Sequence, residues 1–384
     1  MVPRRPSRRI MVGGVAVGGG APVSIQSMTN TPTRDVEATL AQIGRLAALG
    51  CEIVRVAVDG PGDLRSFGAI VEASPLPVVA DIQFDSRAAI GAIGCRAAAL
   101  RLNPGLITDE AALDEIARAA ADAGIPIRVG ANSGSVRPHL VRARIAAGMS
   151  RDDALAETLV ESVLAQCDAL AVRGVRAIKA ALKSSSVAVT VAANRKFAER
   201  SDLALHLGVT EAGTLRRGVI KSAAGIGALL LEGIGDTIRV SLTAPPEEEV
   251  KAALALLECC EVRPARPEIV SCPTCGRTEI DLPGLAGRVE ELVASIKASG
   301  RRITLAKIAV MGCPVNGPGE ARDADLGLAG SRNGQVVLFK HGETLGAFDA
   351  ERGFEALRQE ILAASERQPE ARIPMTTPRA NTKE

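Results

Sequence analysis

Between residues 23 and 260, short runs rich in β-branched residues alternate eight times with longer stretches of helical period. The strand-like runs are VSIQSM (23–28), CEIVRVAV (51–58), PVVADIQ (77–83), AALRLN (98–103), IPIRVGAN (125–132), AIKAALKS (177–184), LALHLGVT (203–210) and DTIRVSLT (236–243). Between them, segments such as 36–50 and 110–124 carry the helix pattern and end at Gly, a common helix terminator. After the eighth run, PPEEEVKAALALLECC (245–260) opens with prolines and acids, as helix first turns do. Eight such units over about 240 residues predict an α/β fold, a TIM (β/α)8 barrel within residues 1–260. The rival, a doubly wound open sheet, finds no Gly-x-Gly-x-x-Gly turn to support it.

Composition agrees with that choice and excludes several functions. Apolar residues make up 47% of the chain, with no Trp, no Tyr and six Phe, which suits helices packed on parallel strands. A net charge of +2 and few aromatics argue against general nucleic-acid binding. No apolar run is long enough to span a bilayer, and MVPRRPSRRI lacks the apolar stretch of a signal peptide, so a cytoplasmic protein with no membrane partner is expected. Eight scattered cysteines do not form a disulfide framework. Cys51, Cys95 and Cys167 lie in apolar surroundings, and the pair Cys259–Cys260 ends a helical segment, so these read as structural. Cys272, Cys275 and Cys313 remain.

Residues 261–268 hold two prolines and no apolar period, and read as a linker. A second, α+β domain is expected over 269–368, with a helix near 284–299, a strand at 303–311, a hairpin at 335–348 and a helix near 350–366. The polar, Pro-containing end, 369–384, reads as a disordered tail.

A TIM barrel works at the carboxyl ends of its strands. Those ends carry Arg55 on the second strand, Asp81 and Gln83 on the third, Arg101 and Asn103 on the fourth, and Arg128 and Asn132 on the fifth. They continue with Lys179 and Lys183 on the sixth, His206, Thr210 and Glu211 on the seventh, and Arg239 and Ser241 on the eighth. Spacings of two or four place each set on one face of its strand. Six cations from five strands, with Asp81 and Glu211 as the local acids, predict a cationic mouth for a small diphosphorylated substrate. Glu211 is placed to hold or transfer a proton, or to anchor an Arg. His206 faces inward, as a core histidine or a functional one.

The motif CPTCGR (272–277) pairs Cys272 with Cys275, and GCPVNGPGE (312–320) adds Cys313. Three thiols suit an iron–sulfur cluster with one iron left to another ligand. The turn Asn316–Gly319 carries Glu320 back toward Cys313, and a carboxylate is a weaker, exchangeable fourth ligand. An open zinc site and a turn with idle thiols stand beside that reading; His341 is the one histidine of this domain.

These two motifs, with APVSIQSMTNT, ADIQFDSR, LRLNPG, IPIRVGANSGS, LHLGVTEAG and KSAAGIGALLLEGIGDTIRVSL in order, resemble the 4-hydroxy-3-methylbut-2-en-1-yl diphosphate synthase (IspG/GcpE) family over about residues 8–365. The resemblance implies a [4Fe-4S] cluster on Cys272, Cys275, Cys313 and Glu320. It implies reductive ring opening and dehydration of 2-C-methyl-D-erythritol 2,4-cyclodiphosphate in the methylerythritol phosphate route to isoprenoids. Two electrons would come from ferredoxin or flavodoxin. Substrate contacts then fall on Arg55, Arg101, Arg128, Asn132, Lys183, Thr210, Arg239 and Ser241, with Glu211 as the barrel glutamate that assists proton transfer or orientation. Two departures stand out: DIQFD has Gln83 where the family pattern has His, which removes a titratable group, and Ser86 replaces a larger residue.

The eight-residue linker reaches at most about 26 Å at roughly 3.3 Å per residue, which favours a homodimer with composite active sites. The alternative function, a pterin- or corrinoid-linked methyltransferase barrel, would need only one or two mouth cations. A zinc-stabilised interaction module on an inactive barrel would bind zinc and no iron.

Overall fold

The structure, a computed structural model, describes residues 2–83, 85–102, 109–134, 136–263, 267–313 and 323–367, apart from the side chains of 298 and 332. Asn103, Glu320, part of the expected linker and the expected tail therefore lie outside the described residues. The chain divides into two compact units, Met1–Arg263 and Pro264–Glu384.

The first unit begins with a small hairpin, β1 (Ile10–Val12) and β2 (Val15–Val17). There follow β3 (Ser24–Met28), α1 (Val36–Ala48), β4 (Ile53–Val58), α2 (Leu64–Ala73), β5 (Val78–Ile82), α3 (Ser86–Gly94), β6 (Ala99–Leu102) and α4 (Glu110–Ala123). Next come β7 (Ile127–Asn132), α5 (Pro138–Ala146), α6 (Arg151–Val172), β8 (Ile178–Lys183), α7 (Val187–Arg200), β9 (Ala204–Leu207), α8 (Leu215–Leu231), β10 (Thr237–Ile238) and α9 (Pro246–Cys259). Strands β3 to β10 pair in parallel in chain order, and β10 closes on β3 to complete the barrel. The eight strands are those expected, although β9 and β10 leave the ladder earlier than 203–210 and 236–243 suggest. The short exposed helix α5 is an addition to the β7–α6 connection.

Local signals explain the element ends. The Asp109 carboxylate accepts the Ala111 amide N–H at the start of α4, and Gly124 ends that helix at φ 65°, a left-handed conformation glycine adopts freely. Apolar faces then bury against the strands: Ile43 and Leu46 of α1, Phe67 and Ile70 of α2, and Phe197 of α7 are fully buried. Burying each such side chain stabilises the unit by about 1.5–3 kcal/mol before entropy is counted.

The N-terminal segment, noted in the sequence only for lacking the apolar stretch of a signal peptide, has a structural role. Ile10, Val12 and Val17 pack on Ile53, Val79, Ala99 and Ala204, at the amino ends of β4, β5, β6 and β9. The hairpin thus seals the end of the barrel opposite the mouth. Its leading arm is tied to Asp236, whose buried carboxylate accepts from Leu205 N (2.8 Å), Ser7 Oγ (2.8 Å) and Arg4 (3.1 Å).

The second unit holds β11 (Glu268–Ser271), α10 (Leu282–Ala298), β12 (Arg301–Ile303), β13 (Lys307–Met311), β14 (Leu326–Gly330), β15 (Val336–Lys340), β16 (Glu343–Phe348), α11 (Ala350–Ala363) and β17 (Ser365–Arg367). Its main sheet runs β11-β13-β14-β15-β16, with the first three strands parallel. The helices bury Leu285, Val289, Leu357 and Ile361 in the core they share with that sheet. The expected strand 303–311 is two strands in two sheets, because β12 pairs with β17 while β13 joins the main sheet. Strands β11 and β14 carried no clear signal in the sequence.

Asp236 joins the arm to the barrel, so Asp236→Ala should destabilise the chain by about 3 kcal/mol by stranding Arg4 and the Leu205 amide. Urea unfolding measures this, and an unchanged midpoint would refute the anchoring role.

Candidate active site

Inside the barrel the strand register carries charge around the wall. Asp81, Arg101, Arg128 and Lys179 are consecutive partners on β5, β6, β7 and β8. Arg55, Arg101, Arg128, Asn132, Lys183, Thr210, Arg239 and Ser241 line one pocket, together with Gly130 and Val209. The structure thus gathers all eight expected substrate-binding residues at the carboxyl ends of the strands. Gly208 makes room for Lys183: a Cβ there would lie 2.7 Å from its Nζ and 2.7 Å from the Arg239 carbonyl oxygen.

Two buried carboxylates hold the guanidiniums. Asp81 accepts from Arg101 at 3.0 Å and pairs with Arg55 at 3.7 Å. Arg55 also points Nη2 and Nε at Met28 Sδ, at 2.9 and 3.2 Å. Glu249, in the first turn of α9, pairs with Arg239 at 3.4 Å and accepts the Leu242 amide at 3.0 Å. Four guanidiniums against two carboxylates leave a surplus of two positive charges. Several donors remain unsatisfied: Arg128 Nε and Nη1, Arg101 Nε and Arg239 Nε are buried with no hydrogen-bond partner among the described residues. Buried donors of this kind are costly unless a ligand completes them.

The crowding shows in the proton affinities. Burial, and then the neighbouring guanidiniums, push Arg128 well below the ordinary arginine range; burial lowers Arg55 to about 10 although Asp81 opposes it. Lys183 is pushed well below the ordinary lysine value by burial and by Arg128 and Arg239. His206 is fully buried and is held neutral by burial and by Lys183 and Arg128. Burial alone would raise Asp81, yet Arg55, Arg101 and Arg128 bring it below the usual carboxylate value.

Glu211 stands apart from this set. It is exposed, follows Thr210, and has φ 51°, an uncommon backbone for a non-glycine residue. The second acid inside the mouth is Glu249, which sequence reading took only as part of an acidic first turn. Glu249 is the last of the three acids Glu247, Glu248 and Glu249, and burial decides that it is the one pointing inward. Gln83 sits beside Asp81, 3.5 Å from Oδ2, in the place of a titratable group. Ser86 opens α3.

In the second unit, Ser271 of β11 pairs with Val310 of β13, so the chain exits toward Cys272 and Cys313 from adjacent strand ends. Both thiols are buried, and the Gly312 amide donates to Cys272 Sγ at 3.2 Å. Cys275 is exposed in a tight turn, and the Arg277 amide, helped by the Arg277 charge, lowers its proton affinity. His341 lies at the other end of the sheet: its amide donates to Asp325, which precedes β14. A strand of five residues, about 16 Å, separates that end from the cysteines, which removes His341 as a fourth ligand. Among the described residues, no three His, Cys, Asp or Glu side chains already stand at metal-binding distances.

Residues 7–254 match the GcpE TIM-barrel domain, and residues 268–363 match the GcpE protein C-terminal domain. The chain belongs to the GcpE family. A relative from Salinispora tropica is 50% identical over 367 residues, covering 95% of this chain and 90% of its own. Another, from Geobacter sulfurreducens, is 48% identical and covers 88% of this chain and 92% of its own. Both are named 4-hydroxy-3-methylbut-2-en-1-yl diphosphate synthase (flavodoxin). A solved Yersinia pestis dihydropteroate synthase covers 66% of this chain and 97% of its own at TM-score 0.44 and 15% identity, a likeness too weak to bear on function. Membership of the GcpE family makes the chain an enzyme.

Because the folded state holds Asp81 below its unfolded value, the stability it contributes is present above about pH 4 and is lost as pH falls further. Asp81→Asn should cost about 3 kcal/mol at neutral pH by leaving Arg55 and Arg101 unpaired. The variant's stability should also change less between pH 4 and 2 than that of the parent. Denaturant titrations across that range measure both effects, and parallel curves would refute the pairing.

Proposed function

We propose that this chain opens the ring of 2-C-methyl-D-erythritol 2,4-cyclodiphosphate reductively and dehydrates it to 4-hydroxy-3-methylbut-2-en-1-yl diphosphate, in the methylerythritol phosphate route. The reaction breaks one carbon–oxygen bond to phosphate and releases one hydroxyl as water. It balances with two electrons and, counted on the acid forms, two protons. The observation that carries this reading is the pocket in which Lys183 meets four guanidiniums that exceed their paired carboxylates by two positive charges. A cyclic diphosphate has one acidic group on each phosphate, so its charge matches that surplus. A pterin or corrinoid ligand would not use so many cations.

The barrel residues bind and orient. Arg128 offers two unpartnered donors, and Arg101 and Arg239 one each, toward phosphate oxygens. As the carbon–oxygen bond breaks, negative charge grows on the departing phosphate oxygen, and the same preorganised cations stabilise it. Asn132, Thr210 and Ser241 at the pocket wall hydrogen-bond the carbon skeleton's hydroxyls. Glu211 serves beside them, to hold a proton or position the substrate.

The donor set of the second unit fits an iron–sulfur group: two buried thiols at neighbouring strand ends, one receiving an amide hydrogen bond, and a third thiol with lowered proton affinity. We assign Cys272, Cys275, Cys313 and Glu320 as the ligands of a [4Fe-4S] cluster. When bound there, the cluster would supply the electrons and a Lewis-acidic iron. The relatives' names support flavodoxin as the electron donor, with ferredoxin as the alternative. The short linker supports a homodimer with composite sites. Eight free cysteines and no helix among the described residues long and apolar enough to cross a membrane support action in the cytoplasm.

Anaerobically prepared protein should contain about four irons and four sulfides per chain, with the cluster weakened or altered in Glu320→Ala. Zinc in place of iron would sink the redox reading. Arg128→Met should keep its iron and lose at least about 100-fold in kcat/KM. Mixing Arg128→Met with Cys313→Ala should restore roughly a quarter of the parent activity if sites are shared between two chains, and none if each chain works alone.

A further inference from the structure

Beneath the pocket the inside of the barrel stays ionic, where branched apolar side chains fill most barrels of this type. Lys179, four residues before Lys183 on β8, is 3% exposed and lies below the residues that line the pocket. Its Nζ reaches Thr237 Oγ1 at 3.4 Å. The nearby carboxylates serve other partners: Asp81 holds Arg55 and Arg101, and Asp236 holds Arg4, Ser7 and the Leu205 amide.

The charged and titratable groups around Lys179 are Arg128 on β7, Arg55 on β4, His206 on β9 and Asp236 before β10. Burial, and then the charges of Arg128 and Arg55, lower Lys179 to about 7, with Asp236 opposing them. The guanidiniums keep their protons at any ordinary pH. His206, with both ring nitrogens buried and unpartnered among the described residues, stays neutral because burial and the surrounding basic side chains hold it well below its usual value.

We propose that Lys179 is a proton-loading residue coupled to substrate binding: the two negative charges of the cyclic diphosphate in the mouth draw a proton from solvent onto its buried amine. The proposal rests on the substrate reading above. No substrate bond changes in this step; the amine becomes an ammonium and the proton comes from the buffer. Binding then adds a cation behind Arg128 without moving a side chain into the pocket. In the free enzyme above pH 7 the same position is mostly uncharged, which relieves the crowding among the guanidiniums. Lys183 touches the pocket and can take up a share of its own, so the Lys179-dependent difference is the quantity that matters.

The substrate does not titrate near neutral pH, so protons taken up on binding belong to the protein. Calorimetry of cyclic diphosphate binding to the intact, anaerobically prepared enzyme without reductant, in buffers of different ionisation heat at pH 8, counts them. The parent should take up about 0.5–0.9 proton per site more than Lys179→Met. Its affinity should weaken between pH 7 and 9 by up to about tenfold per unit, with a flatter curve in the variant. Lys179→Arg, permanently charged, should also lose that uptake, which covers the case where the Met variant fails to fold. His206→Gln should keep it. Equal proton counts in the parent and both Lys179 variants would overturn the proposal while leaving the substrate reading intact. Absence of binding in the parent would overturn both.

Discussion

Uncompensated positive charge inside the barrel is the constraint on which the rest of this structure depends. Four guanidiniums meet where the strands end, and among the described residues only Asp81 and Glu249 answer them. Burying such groups without full pairing costs several kcal/mol per ion, so the surrounding scaffold must supply that stability. Its return is a site in which donors are fixed before an anion arrives and need no reorganisation when it does. Gly208 belongs to the same arrangement, since any side chain there would collide with Lys183 and the backbone of residue 239.

The scaffold meets that demand from two sides. Around the barrel, Ala, Val, Leu and Ile from helices and strands form one continuous apolar shell. At the end away from the mouth, the β1–β2 hairpin supplies Ile10, Val12 and Val17 as a seal, and the arm before it is bound through Asp236. Keeping water out from that side lowers the local dielectric and strengthens every charge interaction above it. The proton affinity of Lys179 follows from this closure: a buried amine among fixed guanidiniums sheds its proton most readily where solvent cannot reach it.

The second unit solves a different problem with similar means. Parallel pairing of β11 with β13 brings two segments 40 residues apart in sequence to the same edge, as the Gly312 to Cys272 hydrogen bond records. His341 is nearer to Cys313 in sequence than Cys272 is, yet the antiparallel turn between β15 and β16 leaves it at the opposite edge. Sequence distance misleads here because strand direction decides which end a residue reaches.

The repeating eight-fold alternation, the cationic strand ends and the cysteine motifs were legible in the sequence, because each depends on local periodicity or on short spacings. The pattern specified eight barrel strands, their polar ends and the thiols Cys272, Cys275 and Cys313, and the family resemblance singled out the eight pocket residues among those ends. Four features were decided by tertiary structure alone: the inward turn of Glu249, the sealing role of a Gly-rich hairpin, the split of 303–311 between two sheets, and the isolation of Lys179. Glu249 follows Glu247 and Glu248, and only the packing of α9 on the barrel, beside Ser27 of β3, Arg239 and Leu242, selects it. The hairpin has too few residues to show a period, and its apolar side chains gain meaning only against strand ends far along the chain. An amino-acid pattern records which face of an element is apolar; how deeply a polar group on that face is buried, and what charges surround it, depends on elements that meet only in the folded chain.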